Sequence, residues 1–446
     1  MTDLDLGIDQ GARVPLRLPT ATATFTIGIA GYLGVNLSPY MITALQGALG
    51  SDVLTASWIV TGALLATAIT GLAIAPLCAG PRRLLVARVG LVIAILGFGA
   101  AALIAAPGVV VAGLLLGGVG AGGAVAASGA AIAAFTNPDR VAGFNGLANR
   151  AIVTVILAVV PLIGLAPIDV FGALALFSLV SLLVSGWLPA APVAAANAGA
   201  AVAEAVPLEV PETSAIPALR ARAAASARPT RLATIAGFVL LATFALWAVS
   251  EDSLWAMTGV MGAEQAALTP EGLGLALSGA TAGGLVGSVL LMVVGNRLGR
   301  AVPLVVLLVL GGVLKIVEGF VADPTAFIVV FIAWNTIYAI AFMYFVSTSA
   351  ALDVEGRWSG PLLAVYLVGS ALTPVIGAAL VEVFGFQGFT VVLGIASFVL
   401  AVPAAFAAHV STQHEKAERA DAAALAAAAS SSATAATGAD ADEVLA

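Results

Sequence analysis

Two carboxylates stand side by side in the stretch VSEDSLW at 249–255, where Glu251 and Asp252 are flanked by Ser250 and Ser253 inside an otherwise apolar run. Adjacent carboxylates removed from water are not expected both to stay ionised, because desolvation and like-charge repulsion oppose the second charge. The one that holds a proton at working pH is a group able to load and release it. The two lie about 100° apart around a helix, so they face different ways, and Glu251 is the favoured proton carrier. The competing reading is a helix that ends early and leaves both solvated. Glu251 is twenty residues beyond Arg231, roughly the length that crosses a hydrocarbon core.

Other polar residues sit in equally apolar surroundings. An ionisable group at mid-membrane costs roughly 2.5–3.5 kcal/mol on insertion scales and is a functional candidate for that reason. Asn145, Asn149 and Arg150 fall in one stretch. Arg150 either meets an anionic solute or snorkels to the interface. Lys315 and Glu318 are spaced i, i+3, which places them on one helix face and favours mutual neutralisation over transport. Trp334, Asn335, Tyr338 and Tyr344 form a further set. Trp334 and Tyr338 share a face, which suits a ring-shaped solute or plain packing. Asn36 completes the candidates for a solute or proton path.

These residues need a bilayer around them. Hydrophobic residues make up 61% of the 446 positions and charged residues 9%, against roughly 45–50% apolar content in a soluble domain. Apolar stretches long enough to span recur at 21–45, 54–78, 84–106, 108–135, 141–165, 167–189, 233–258, 272–294, 303–321, 325–351, 360–384 and 388–409. Each must satisfy its backbone internally, so an all-α membrane protein of twelve helices is expected and a β-barrel is not. The polar, Ala/Pro-rich segment 190–232 reads as a linker. In the tail 410–446, HEKAERADAAALAAAA suits a loose helix and SSSATAATGADADE suits disorder. The acidic opening MTDLDLGIDQ lacks the basic region of a cleavable signal peptide.

Charge sets the orientation. Arg13, Arg17, Arg82, Arg83, Arg88, Arg140, Arg220, Arg222, Arg228, Arg231, Arg297, Arg300, Arg357, Lys416 and Arg419 all fall on one side of the expected spans. Asp52, Asp169, Glu264, Glu271 and Asp323 occupy the opposite loops. This bias places the termini, 1–20 and 410–446, and the linker in the cytoplasm. The single cysteine, Cys78, forms no internal disulfide, and His409 and His414 lie at or beyond the last span. No metal site and no cofactor are expected, and no nucleophile–base pair or phosphate loop points to an enzyme.

The chain also repeats. Arg83 and Arg300, Pro107 and Pro324, Arg140 and Arg357, and Gly143 and Gly360 are each 217 positions apart, as are Asn36 and Ser253. Two halves in parallel register, 21–189 and 233–409, follow, with the path between them. Small residues at four-residue spacing, Gly113 and Gly117, then Gly279, Gly283 and Gly287, mark close helix contacts that are either packing or sliding surfaces.

With those features the chain resembles the major facilitator superfamily over residues 21–409. GNRLGR at 295–300 matches that family's loop signature at Arg297, Gly299 and Arg300, with Asn296 where the family has Asp. LCAGPRR keeps the arginines of the first copy, and TNPDRVAG and ALDVEGRWSG look like the family's loops between spans four and five and between ten and eleven. The resemblance implies a secondary transporter of the cytoplasmic (inner) membrane, acting as a monomer on a small solute with protons, import favoured. It assigns a cytoplasmic gate to Arg82, Arg83, Arg140, Arg297, Arg300 and Arg357, with topology anchors alone as the competing reading. Span four lacks an arginine before its glycines, and GSALTPVIG lies in span eleven instead of a comparable motif in span five. Both departures argue against drug efflux. Efflux and a non-transporting sensor are the alternative expectations, and the partners implied are the solute, protons and lipid, with no nucleic acid.

Overall fold

The computed structural model describes residues 13–190, 231–294, 299–352 and 358–443. The helices are α1 (Leu18–Asn36), α2 (Ser38–Leu49), α3 (Val53–Cys78), α4 (Arg83–Leu103), α5 (Pro107–Ile132), α6 (Pro138–Ile163), α7 (Pro167–Val184), α8 (Arg231–Ala266), α9 (Pro270–Val294), α10 (Ala301–Glu318), α11 (Pro324–Leu352) and α12 (Ser359–Glu443). Ten of the described helices are long and apolar enough to cross a membrane. The chain is a multi-pass membrane protein, and lipid accounts for exposed apolar side chains such as Leu183 and Val402.

Three boundaries differ from the sequence expectation. The stretch 21–45 is broken at Leu37 into α1 and α2. Pro39 has no N–H, and its ring crowds the carbonyl one turn back, so a straight helix cannot pass. The stretches 360–384 and 388–409 are two helices, as expected, but the gap between them shrinks to a kink within the run α12 at Gly385, whose φ of 66° is reached freely by glycine. The same helix continues to Glu443, replacing the disorder expected beyond the alanine run. Alanine, the strongest helix former, dominates that segment. The expected linker lies outside the described residues except at its edges.

Helices α1–α7 pack chiefly among themselves and α8–α12 likewise, while α6 meets α9, α3 meets α12 and α2 meets α8. In the first set α5 lies backbone to backbone on α4. A Cβ on Gly113 would stand 2.6 Å from the Gly97 carbonyl oxygen, a separation only glycine allows. In the second set the notches of α9 take side chains instead: Gly279 faces Ile332, Gly283 faces Thr336 and Gly287 faces Ile340 of α11. Asp52 caps α3, its carboxylate accepting from the Thr55 backbone N–H at 2.6 Å. That bond holds the carboxyl below its ordinary value. Ahead of α1, Val14 pairs with the turn between α5 and α6. Its N–H donates to the Ala134 carbonyl at 2.9 Å and its carbonyl accepts from the Thr136 N–H at 3.1 Å.

Candidate functional site

α8 carries both adjacent carboxylates deep in the protein, and they part company. Glu251 turns into the core of the second helix set. Its Oε1 accepts from Lys315 Nζ of α10 at 2.6 Å, and its Oε2 accepts from Trp334 Nε1 of α11 at 2.7 Å. Lys315 also donates to Ser250 Oγ at 2.8 Å and Ser397 Oγ at 2.7 Å. All three ammonium donors are therefore used. The lysine is 0% exposed and Glu251 3%. The early helix end is thereby excluded. So is mutual neutralisation of Lys315 and Glu318, because the lysine reaches across to α8. Glu318 is buried, with neither carboxylate oxygen bonded among the described residues.

Asp252 points elsewhere. Its Oδ1 accepts from the Tyr338 hydroxyl of α11 at 3.3 Å, and that hydroxyl is 3.0 Å from the Tyr366 hydroxyl of α12. The phenols face the other helix set, where Arg150 of α6 lies within electrostatic reach of both. Arg150 is half-buried and packs over Gly284 of α9, in a notch where a Cβ would stand 3.2 Å from its Cζ. Its guanidinium makes no hydrogen bond or ion pair with the described residues. Asn145 and Asn149 lie on the same helix, each with a buried Oδ1 that has no partner among those residues.

The remaining candidates have local partners. Asn36 Nδ2 donates to the Tyr32 carbonyl at 3.0 Å, and Ser253 Oγ donates to the Thr373 carbonyl at 3.4 Å. They do not form the paired polar patches that their 217-residue offset suggests. Asn335 is buried on α11, and Tyr344 packs in the aromatic core of α8, α11 and α12. Trp334 stacks on Tyr338 with ring centroids 6.1 Å apart while its N–H is committed to Glu251. Its face serves as packing. Tyr366 and Ser397 were not legible in sequence, since each is an uncharged polar residue without polar neighbours in a separate apolar stretch.

The arginines of the expected gate divide. Arg83 Nε donates to the Cys78 carbonyl at 2.9 Å and Nη1 to the Pro189 carbonyl at 3.0 Å, joining α3, α4 and the end of α7. Arg300 Nε donates to Ser347 Oγ at 3.0 Å, and its Nη1 pairs with Glu415. Each clasp stays within its own helix set. Arg82 is exposed, and Arg140 is exposed over the Phe144 ring at 5.5 Å. Arg297 and Arg357 lie outside the described residues.

Among the described residues three hydrogen bonds cross between the sets. Trp255 Nε1 donates to the Asn36 carbonyl at 3.2 Å, the Val375 N–H donates to Thr61 Oγ1 at 3.1 Å, and Thr154 Oγ1 donates to Thr281 Oγ1 at 2.7 Å. They run from mid-helix to the ends remote from Arg83 and Arg300. Among the described residues no group of three or more His, Cys, Asp or Glu is placed to hold a metal ion.

No family model matches the sequence, and no curated protein does either. Solved structures do. A peptide transporter POT in complex with sulfate is similar, with a TM-score of 0.67 at 14% identity over 92% of this chain and 99% of that one. A D-xylose-proton symporter gives 0.62 at 14% identity over 86% and 95%. The inward-open xylose transporter XylE from E. coli gives 0.61 at 15% identity over 86% and 94%. The chain therefore has the fold of the major facilitator superfamily.

Proposed function

We propose that the chain is a secondary active transporter of the cytoplasmic membrane that moves a small organic solute with protons by alternating access. Its twelve spans form two six-helix halves, 21–189 and 233–409. The broken α1–α2 supplies the first span and the bent α12 the last two. Linker 190–232 and both termini are cytoplasmic, the favoured direction is import, and the protein works as a monomer.

The observation that carries this reading is the division of labour at Glu251 and Asp252. Glu251 is saturated by Lys315 and Trp334, so its charge is a structural fixture. Asp252 meets the seam between halves through two phenols, and the coupling role moves to it. The crossing bonds among the described residues, which run from mid-helix to the ends remote from Arg83 and Arg300, support a state closed outside.

The test is uptake into proteoliposomes of sugars, amino acids, dipeptides and carboxylic acids, with and without a proton gradient. One of these solutes should accumulate in wild type. Asp252→Asn should abolish accumulation and spare counterflow, because exchange moves no net proton. Undiminished gradient-driven accumulation in Asp252→Asn sends the coupling site elsewhere.

A further inference from the structure

Arg150 differs from every other charged side chain buried among these helices. Glu251 and Lys315 hold one another, Asp252 accepts from a phenol, and Glu318 can become neutral by keeping a proton. An arginine cannot shed its charge. Placed among apolar helices with no counter-ion, its guanidinium requires an anion or water. Snorkelling does not supply one. Gly284, whose missing side chain makes room for the fork, is ten residues from the α9 end at Val294, about 15 Å along the helix axis. The fork therefore lies at the seam between the two halves, near Tyr338 and Tyr366. It is half-buried there and open to a solute.

We propose that Arg150 seats an organic carboxylate, so that the transported solute is a small organic monoanion; this rests on the transporter reading above. A guanidinium presents two parallel N–H donors whose spacing matches a carboxylate's oxygens. A single arginine with Asp252 across the phenols favours one negative charge over two. The buried amides of Asn145 and Asn149, unpartnered at Oδ1, are placed on the same helix to receive donors from the rest of the solute, such as a hydroxyl or an amine.

The test uses the purified full chain and its thermal unfolding midpoint. The probes are acetate, lactate, benzoate and longer monocarboxylates, each beside its amide and the matching amine. At least one carboxylate should raise the midpoint saturably while its amide does not. Arg150→Gln should remove the effect, and Arg150→Lys should weaken it about tenfold, since a point charge replaces a planar fork. Gly284→Val keeps the arginine but fills its notch, and should weaken binding comparably. It answers the question if Arg150→Gln fails to fold. The inference is overturned if no carboxylate acts saturably on wild type, or if Arg150→Gln responds like wild type. Asp252→Asn separates the two readings. Carboxylate binding that persists with unchanged proton coupling leaves the Arg150 seat standing and relocates only the coupling group. A wild type that accumulates a sugar or a cation while ignoring carboxylates overturns the seat and leaves transport intact.

Discussion

The two helix sets differ in what is sealed between their helices. In α1–α7 close contact is made by absent side chains. α4 and α5 touch through Gly97, Gly113 and Gly117, and the described residues there contain no ion pair. In α8–α12 an ion pair is sealed inside, surrounded by a stack of rings from Trp247 through Tyr338 to Trp334. Backbone contact fixes one spacing and admits little change. A sealed charge pair instead makes each partner depend on the other for its place in the core.

That contrast breaks most sharply at Lys315. Replacing it with Met strands Glu251 without its strongest partner and should cost about 3–5 kcal/mol, seen as a fall in the unfolding midpoint. The double change Lys315→Met/Glu251→Gln should recover much of the loss, because no uncompensated charge remains. A single variant as stable as wild type would make the pair dispensable and the contrast empty.

The matching break in the first set is smaller. Gly113→Val should cost about 1–3 kcal/mol by forcing α4 and α5 apart. Gly108→Ala, in the same helix but with nothing within 4 Å of the new methyl, should be neutral or slightly stabilising. Equal effects at both positions would mean that helix propensity, not close approach, accounts for the loss.

The smallest effect sharpens the comparison at the clasps. Arg300, itself buried, pairs with Glu415, whose side chain is 21% exposed, so part of that attraction is open to screening by salt. Arg83 bonds two backbone carbonyls and is buried. Unfolding midpoints across a salt series should show Arg300→Gln converging on wild type at high salt while Arg83→Gln stays below it. Parallel curves would mean that the two clasps do not differ in kind.

The helices were legible because apolar length is a local property. The break at Pro39 had a local cause too, although the length of the stretch concealed it. The partner of Lys315 was not legible. An i, i+3 neighbour is visible in sequence, whereas the competing carboxylate lies 64 positions away and is brought in by tertiary packing. Which of Glu251 and Asp252 faces the seam was hidden for the same reason. Their 100° separation was clear, but which direction faced the seam depended on where Trp334, Tyr338 and Tyr366 came to lie.

The pairing of Val14 with Ala134 and Thr136 bears on the order of events at synthesis. Val14 leaves the ribosome early, yet its partners emerge only after α1 through α5 have been made. On the orientation proposed above, Arg13 and Arg17, at either side of it, act on the first span by charge alone, with no tertiary contact to help. The N-terminal strap then closes over the turn at 134–136 as a late step. Early topology and late docking thus fall to the same five residues, at different times.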